Sequence, residues 1–292
     1  MKFNIIGAGR LGKVIGQALL HSKQGELLAV CNSHFSSAKL AVEQLGSGTA
    51  VANPVDLPSA DITFITTPDD NIPEMAKRLA EEKILRPRSL VIHCSGVLSS
   101  EVLNPLKNIG CYIASLHPLR AFKKIDLHLN QSAFEDCDCV VEGEDEALAT
   151  ISPLFKKLGA KIIPIKAEGK TVYHTAAVIA SNYLVTLAAT AVELFTEAGI
   201  EPSLAKQMTT NLMTSSLNNI QQSAHVAEAL TGPLQRADIS TLNKHLQALA
   251  KPTTKALYVK AALATLPLTR LSEEHQEQIQ ALLEDSCNAV TD

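Results

Sequence analysis

Residues 4–16 read NIIGAGRLGKVIG, and the order of residue types in this stretch decides the first half of the chain. Branched aliphatics close a short strand-like run, glycines follow at 7, 9 and 12, and an apolar helical pattern begins at once. In such a strand, loop and helix, Gly7 permits the tight turn, Gly9 lets an anion approach the backbone, and Gly12 lets the helix pack close to the strand. The first-turn N–H groups, here those of Arg10, Leu11 and Gly12, lie at the positive end of the helix dipole and suit an anion. The G-x-G-x-x-G spacing in this context predicts a pyrophosphate seat, and with it dinucleotide binding.

Downstream the same alternation repeats. Runs such as LLAVCNS, ITFITT, SLVIHCSG, CYIASLHP, CDCVVEG and KIIPI are separated by helical patterns of ten to twelve residues. Val- and Ile-rich strands alternating with helices predict a doubly wound α/β Rossmann domain with a mostly parallel sheet covered on both faces. Beyond about Lys166 no further strand run occurs. The helical period then predicts segments at 168–198, 203–230, 238–250, 252–265 and 272–288. At 292 residues the chain suits two domains, a Rossmann domain over 1–165 and an all-α domain over 166–292 for substrate binding and dimerisation.

The formal net charge is −4, with lysines and arginines scattered, so no electrostatic footprint for nucleic acid or an anionic membrane is expected. Cysteines at 31, 94, 111, 137, 139 and 287 lack paired C-x-x-C spacing and read as reduced thiols of a cytoplasmic protein. No secretory signal pattern is visible at the N-terminus. Thr175–Val192 carries no charge and nearly meets the length of a spanning helix. Recurring polar residues and the lack of basic flanks favour instead the central helix of a soluble domain.

The second strand run ends in VCNSHFSSAKL, without Asp or Glu between Cys31 and Lys39. A carboxylate there would hold the ribose diol of NAD. Asn32, Ser33 and His34, with Ser36 and Lys39, instead suit a 2′-phosphate, so NADP is favoured and NAD stays open. Ser36 or Ser37 capping a helix is the plainer alternative. Ligands of open parallel sheets lie beyond the carboxyl ends of the strands, which brings in Thr66, Thr67 and Pro68, then Ser95 and Gly96, then His117 and Arg120. Asp69 and Asp70 read as caps of the helix begun near Pro73, and His93 as a packed strand residue. His117, directly before a proline and past a strand end, sits on a stiffened loop.

A further run, YHTAAVIASNY at 173–183, sets His174, Ser181 and Asn182 among aliphatics. On a helix His174 and Ser181 fall within roughly 20° of one line, with Asn182 about 80° round, so the three share a face. Burying them unpaired costs on the order of 1–3 kcal/mol each. They therefore satisfy one another or face something that enters.

The glycine loop, TTPDD, HCSG, SLHP and YHTAAVIASN together resemble the 6-phosphogluconate-dehydrogenase-like superfamily. More narrowly the chain is similar to Rossmann-like proteins whose helical C-terminal part is the domain of unknown function 2520. LTGPLQRADISTLNKHL also resembles that group, whose usual Arg-Gly-Asp is Arg236-Ala237-Asp238 here. The resemblance implies a nicotinamide cofactor, a small carbonyl, imine or hydroxy-acid substrate in an interdomain cleft, and a homodimer through the helical domain. His174 and Asn182 match a proton donor and an asparagine on the first helix of the second domain, while the lysine of the sugar-acid and hydroxyacid enzymes is not found.

These readings converge on an NADP-dependent oxidoreductase. Helix 168–198 forms the floor of the cleft with its alanine-rich remainder packed in the core. His174 serves as general acid or base, Asn182 donates to developing negative charge, and His117 and Ser181 complete that side. Arg236, with Thr231 nearby, offers a fork for a substrate carboxylate; a salt bridge to Asp238 is its plainer role. His245 reads as surface or interface. The alternative is a catalytically silent dinucleotide-binding or sensor protein of the same fold. A metal-dependent hydrolase finds no ligand spacing in the sequence.

Overall fold

The computed structural model describes residues 1–122 and 133–288, and the side chain of Cys287 lies outside the described set. The chain divides into two compact units, Met1–Asn182 and Tyr183–Asp292. In the first, β1 (Lys2–Ile6), α1 (Arg10–His21), β2 (Glu26–Cys31), α2 (Phe35–Leu45), β3 (Thr49–Val51) and β4 (Ile62–Ile65) come in order. Then follow α3 (Ile72–Glu81), β5 (Leu90–His93), the short α4 (Asn104–Lys107) and β6 (Tyr112–Pro118). After these come β7 (Asp138–Gly143), α5 (Asp145–Lys156), β8 (Lys161–Pro164) and the start of α6 (Lys170–Glu197).

The strands form one sheet in the order β3-β2-β1-β4-β5-β6-β7-β8, and every neighbouring pair is parallel except β6 with β7. Alternate residues feed two cores. Phe3, Ile5, Phe64 and Ile92 join one cluster, and Ile6, Ile65 and Val91 the other. Strands buried on both faces need continuous apolar runs, which is why these segments read as Val- and Ile-rich without polar alternation. The first cluster is fastened by edge-to-face rings, Phe134 on Phe155 at 5.0 Å and Phe3 on Phe64 at 6.1 Å. The strand order reverses between β1 and β4, so the glycine loop after β1 lies beside Thr66 and Thr67 after β4. That reversal is where such sheets leave a crevice.

Three expectations need correction. His117 is not past a strand end: β6 continues through Pro118, because antiparallel β7 pairs His117 with Val140. Asp69 and Asp70 do not cap α3, since they form a 3-10 turn of their own and the helix begins at Ile72 behind Asn71, without a side-chain cap. Nor is the aliphatic remainder of α6 packed in a core. Lys170 is its one buried residue, and Val172, Ile179 and Val185 are 74%, 57% and 69% exposed. By length and composition α6 could cross a membrane.

The second unit holds the rest of α6, then α7 (Pro202–Gln222), α8 (Ile239–Ala248), α9 (Pro252–Thr265) and α10 (Glu273–Asn288). Helix α7 stops at Gln222, short of the expected 230, because Ser223 turns extended. A small core forms where Leu242 and Leu246 of α8 meet Val259 of α9 and Ile279 and Leu283 of α10. Asp238 caps α8 by accepting from the Thr241 N–H at 3.0 Å and its hydroxyl at 2.8 Å. This gives Asp238 a capping role, with the nearby Arg236 charge helping to hold its carboxyl below the usual range behind those hydrogen bonds.

Between them Ala237 adopts φ +52°, the left-handed region that costs an L residue about 1–2 kcal/mol and glycine little. Ala237→Gly should therefore raise stability by about 0.5–1 kcal/mol after the extra chain entropy of glycine is counted. Urea unfolding of the two proteins checks this, and an unchanged or lower midpoint would contradict it.

Candidate functional site

Two features of the first unit are built around missing side chains. At the glycine loop Gly7 has φ +88°, and a Cβ there would lie 2.7 Å from the Thr67 nitrogen. One at Gly12 would lie 2.5 Å from Thr66 Oγ1. One at Gly9 would meet nothing nearer than the Gly7 carbonyl at 3.8 Å, so this position faces open space. The loop is pinned from both sides. Gly7 N–H donates to the Cys31 carbonyl at 2.8 Å, Ala8 N–H to Asn32 Oδ1 at 2.7 Å, and Thr66 Oγ1 to the Gly7 carbonyl at 2.8 Å.

Helix α1 begins behind Gly9 with no side-chain cap, and its first internal bond runs from Lys13 N–H to the Gly9 carbonyl. The amides of Arg10, Leu11 and Gly12 precede that bond and are open to an anion. Thr67 Oγ1 is buried without a hydrogen-bond partner among the described residues. A bare cradle, uncapped amides and an orphaned hydroxyl fit the phosphates of a dinucleotide.

At the end of β2 the expected 2′-phosphate cluster is smaller than the sequence suggests. Asn32 is committed to the loop, accepting from Ala8 and donating through Nδ2 to Ser37 Oγ at 3.1 Å. Lys39 lies over the Phe35 ring at 4.7 Å. Ser33, His34 and Ser36 remain exposed, and Pro68 is exposed beyond β4. Ser37 Oγ donates to the His34 carbonyl at the start of α2.

The second feature is Gly96. A Cβ on it would lie 2.3 Å from His174 Cδ2 and 3.0 Å from both Cε1 and Nε2 of His117. The absence of that carbon lets the two imidazoles approach, ring centroids 5.9 Å apart and edge to face. Tyr173 shares a 2.7 Å hydrogen bond with His117 Nδ1. Burial, helped by the charge of Lys170 and by His174, pushes the His117 pKa down to about 4, and burial pushes the Tyr173 phenol up to about 12. At neutral pH both are uncharged.

His93 is fully buried at the end of β5. Ser95 N–H donates to its Nδ1 at 3.2 Å, which puts the ring proton on Nε2, facing the Ser99 carbonyl at 3.1 Å. Ser95 serves the same turn: its hydroxyl accepts from Val97 and Leu98 N–H, so it does not face the cavity as a substrate ligand.

A cavity of about 390 Å³ is lined by His117, Arg120, His174, Val178, Ser181 and Asn182, among others, and no Asp or Glu of the described residues lines it. It unites four residues expected from sequence, His117, His174, Ser181 and Asn182. Thr231 and Arg236 belong to the second unit, where Thr231 lines a separate, largely apolar cavity of about 440 Å³. His245, on that cavity's wall, bonds Tyr258 OH at 3.0 Å. Arg236 is exposed.

Two residues were missed. Tyr173 reads as an aromatic of a buried helix until its hydroxyl partner is known. Lys170 is the other. It stands one turn before His174, the i, i+4 spacing that shares a helix face, and its ammonium is buried against the Ser95 carbonyl at 2.8 Å and Ser115 Oγ at 2.7 Å. Among the described residues no group of three or more His, Cys, Asp or Glu could hold a metal ion.

Residues 1–118 match the model of the Rossmann-like domain, and residues 137–265 match that of the domain of unknown function DUF2520. No curated protein matches the chain. A Bacteroides fragilis protein assigned as an NADP oxidoreductase superposes with a TM-score of 0.75 at 19% identity, over 90% of this chain and 97% of its own. A Thermotoga maritima protein gives 0.63 at 25% identity over 99% and 100%. Plasmodium falciparum pyrroline carboxylate reductase, solved with NADP bound, gives 0.59 at 11% over 99% and 97%. At these identities the likeness concerns the fold alone.

Proposed function

Because the chain is a Rossmann-like protein with a DUF2520 domain, we propose that it is an NADP-dependent oxidoreductase of small carbonyl, imine or hydroxy-acid substrates. The observation that carries this reading is the pair of imidazoles meeting over Gly96 in a cavity that no described Asp or Glu lines, on the same sheet as an uncapped glycine loop. NADP is preferred to NAD because residues 32–38 offer no carboxylate to a ribose diol, and the NADP-bound relative supports the choice. The Arg10, Leu11 and Gly12 amides and Thr67 would hold the phosphates of a nicotinamide dinucleotide, which when bound would supply hydride chemistry at the substrate carbon.

The residues of the chain handle the proton and the charge. His174 gives a proton to the oxygen or nitrogen on the reacting carbon, or takes one in reverse. His117, held uncharged and oriented by Tyr173, packs against the His174 ring and fixes its attitude. Asn182 and Ser181 donate hydrogen bonds to the developing negative charge. Arg120, which lines the cavity and donates to the Ala133 carbonyl, offers a fork for a substrate carboxylate. The described cysteines are free and buried, which supports a reducing, cytoplasmic setting.

Exposed aliphatics on α6 and α7, among them Val172, Val185, Leu212 and Leu217, form more apolar surface than single scattered residues and call for a cover. A second copy of the chain is the cover we propose. Sedimentation equilibrium should then give about twice 31.3 kDa, and the mass of one chain would contradict it.

Quenching and energy transfer in an NADPH fluorescence titration test cofactor binding. A panel of cyclic imines, 2-oxo acids and aldehydes, followed by loss of NADPH absorbance, then tests turnover. Binding with turnover is expected, and His174→Ala should lower turnover by on the order of 10²–10⁴ with cofactor affinity kept. Failure to bind either NADPH or NADH would overturn the reading, and binding without turnover on any member would favour a silent dinucleotide-binding protein.

A further inference from the structure

Lys170 is fully buried, at 1% exposure, yet it touches neither the cavity lining nor an acid within ion-pair distance among the described contacts. An ammonium removed from water costs several kcal/mol unless its protons are met and its charge is used. Its two described partners are neutral oxygens, and they are well chosen by position. Ser95 immediately precedes Gly96, and Ser115 lies two residues before His117 on β6, hence on the same face of that strand. Lys170 itself lies one turn before His174 and three residues before Tyr173. One ammonium therefore ties together the three elements that carry Gly96, His117 and His174.

We propose that Lys170 is a positioning residue: its ammonium, pinned beneath the site by the Ser95 carbonyl and the Ser115 hydroxyl, fixes the Gly96 turn against β6 and α6 and sets a fixed positive charge under the imidazoles. The inference rests on the oxidoreductase reading for its purpose, but not for its measurement. The charged and titratable groups beside His117 are Lys170, Tyr173 and His174 from α6 and Arg120, which lines the same cavity; His93 and Cys94 at the end of β5 feel Lys170, and Asp138 and Cys139 of β7 act on Tyr173. Glu142, the nearest buried acid, has both carboxylate oxygens held by Ser100, at 2.6 Å from its N–H and 2.7 Å from its hydroxyl. Burial alone pushes the Cys94 thiol up to about 12, so it brings no negative charge at neutral pH. Lys170 is thus a fixed charge beneath the imidazoles, and behind burial it lowers the basicity of both His93 and His117. An uncharged His117 can keep its hydrogen bond to Tyr173 without repelling a proton on His174.

Histidine ring titrations by NMR test this without any need for turnover, so a protein that proves catalytically silent still gives an answer. In the wild type His117 should titrate near 4. Lys170→Met should raise that midpoint toward the ordinary imidazole value, and Lys170→Arg, which keeps the charge, should hold it down. An unchanged midpoint in Lys170→Met overturns the proposal. The wild type supplies a second reading that does not depend on any variant folding: its ¹⁵Nζ resonance should be that of an ammonium at pH 7, and a neutral amine there would overturn the proposal equally.

Discussion

Two aromatic nitrogen rings can stand edge to face over the β5 turn only because residue 96 carries no side chain. That constraint is one of space, since Gly96 does not occupy the left-handed region. It sets demands on everything around it. The turn must be held close, which Ser95 does through its hydroxyl and carbonyl; β6 must run far enough to deliver His117, which its pairing with β7 ensures; and α6 must enter at the right height. The buried ammonium of Lys170 ties the three elements together. A lysine that close to two histidines is an expensive choice in a low-dielectric place, and its expense is intelligible if the charge itself is wanted.

The glycine loop, at the carboxyl end of β1, follows the same logic by different means. At the glycine loop the missing carbons bring backbone against backbone, and Asn32 locks the loop from the neighbouring strand. What is left uncovered is a row of amides and one unpartnered hydroxyl on Thr67. Both features therefore owe their chemistry to residues that make room, with polar side chains from adjacent strands holding the opened space in place. The contrast with α6 is instructive. There large aliphatics stand exposed, and a second copy of the chain is the cover proposed for them.

Much of this was legible in the sequence, and for identifiable reasons. Strand runs of Val and Ile, the G-x-G-x-x-G spacing and the change of period near Lys166 are local patterns, so they survive without knowledge of neighbours. The shared helix face of His174, Ser181 and Asn182 is likewise a matter of spacing, and all three line one cavity. The misreadings involve partners distant along the chain. Asn32 looked free for a phosphate because its acceptor role toward Ala8 depends on strand pairing. His117 looked like a loop residue because β7, which prolongs β6, begins only at Asp138, well beyond Pro118 in the chain. Lys170 went unread because its partners, Ser95 and Ser115, are 75 and 55 residues away. The burial expected of α6 rested on composition, which cannot say whether the covering surface belongs to the same chain.

The convergence over Gly96 is the centre of the account, and restoring one methyl group addresses it directly. In Gly96→Ala the added carbon must displace the His174 and His117 rings, so cross-peaks between the two imidazoles in a nuclear Overhauser spectrum should vanish and turnover should fall at least tenfold, while NADPH still binds. Intact cross-peaks with full turnover would contradict the account.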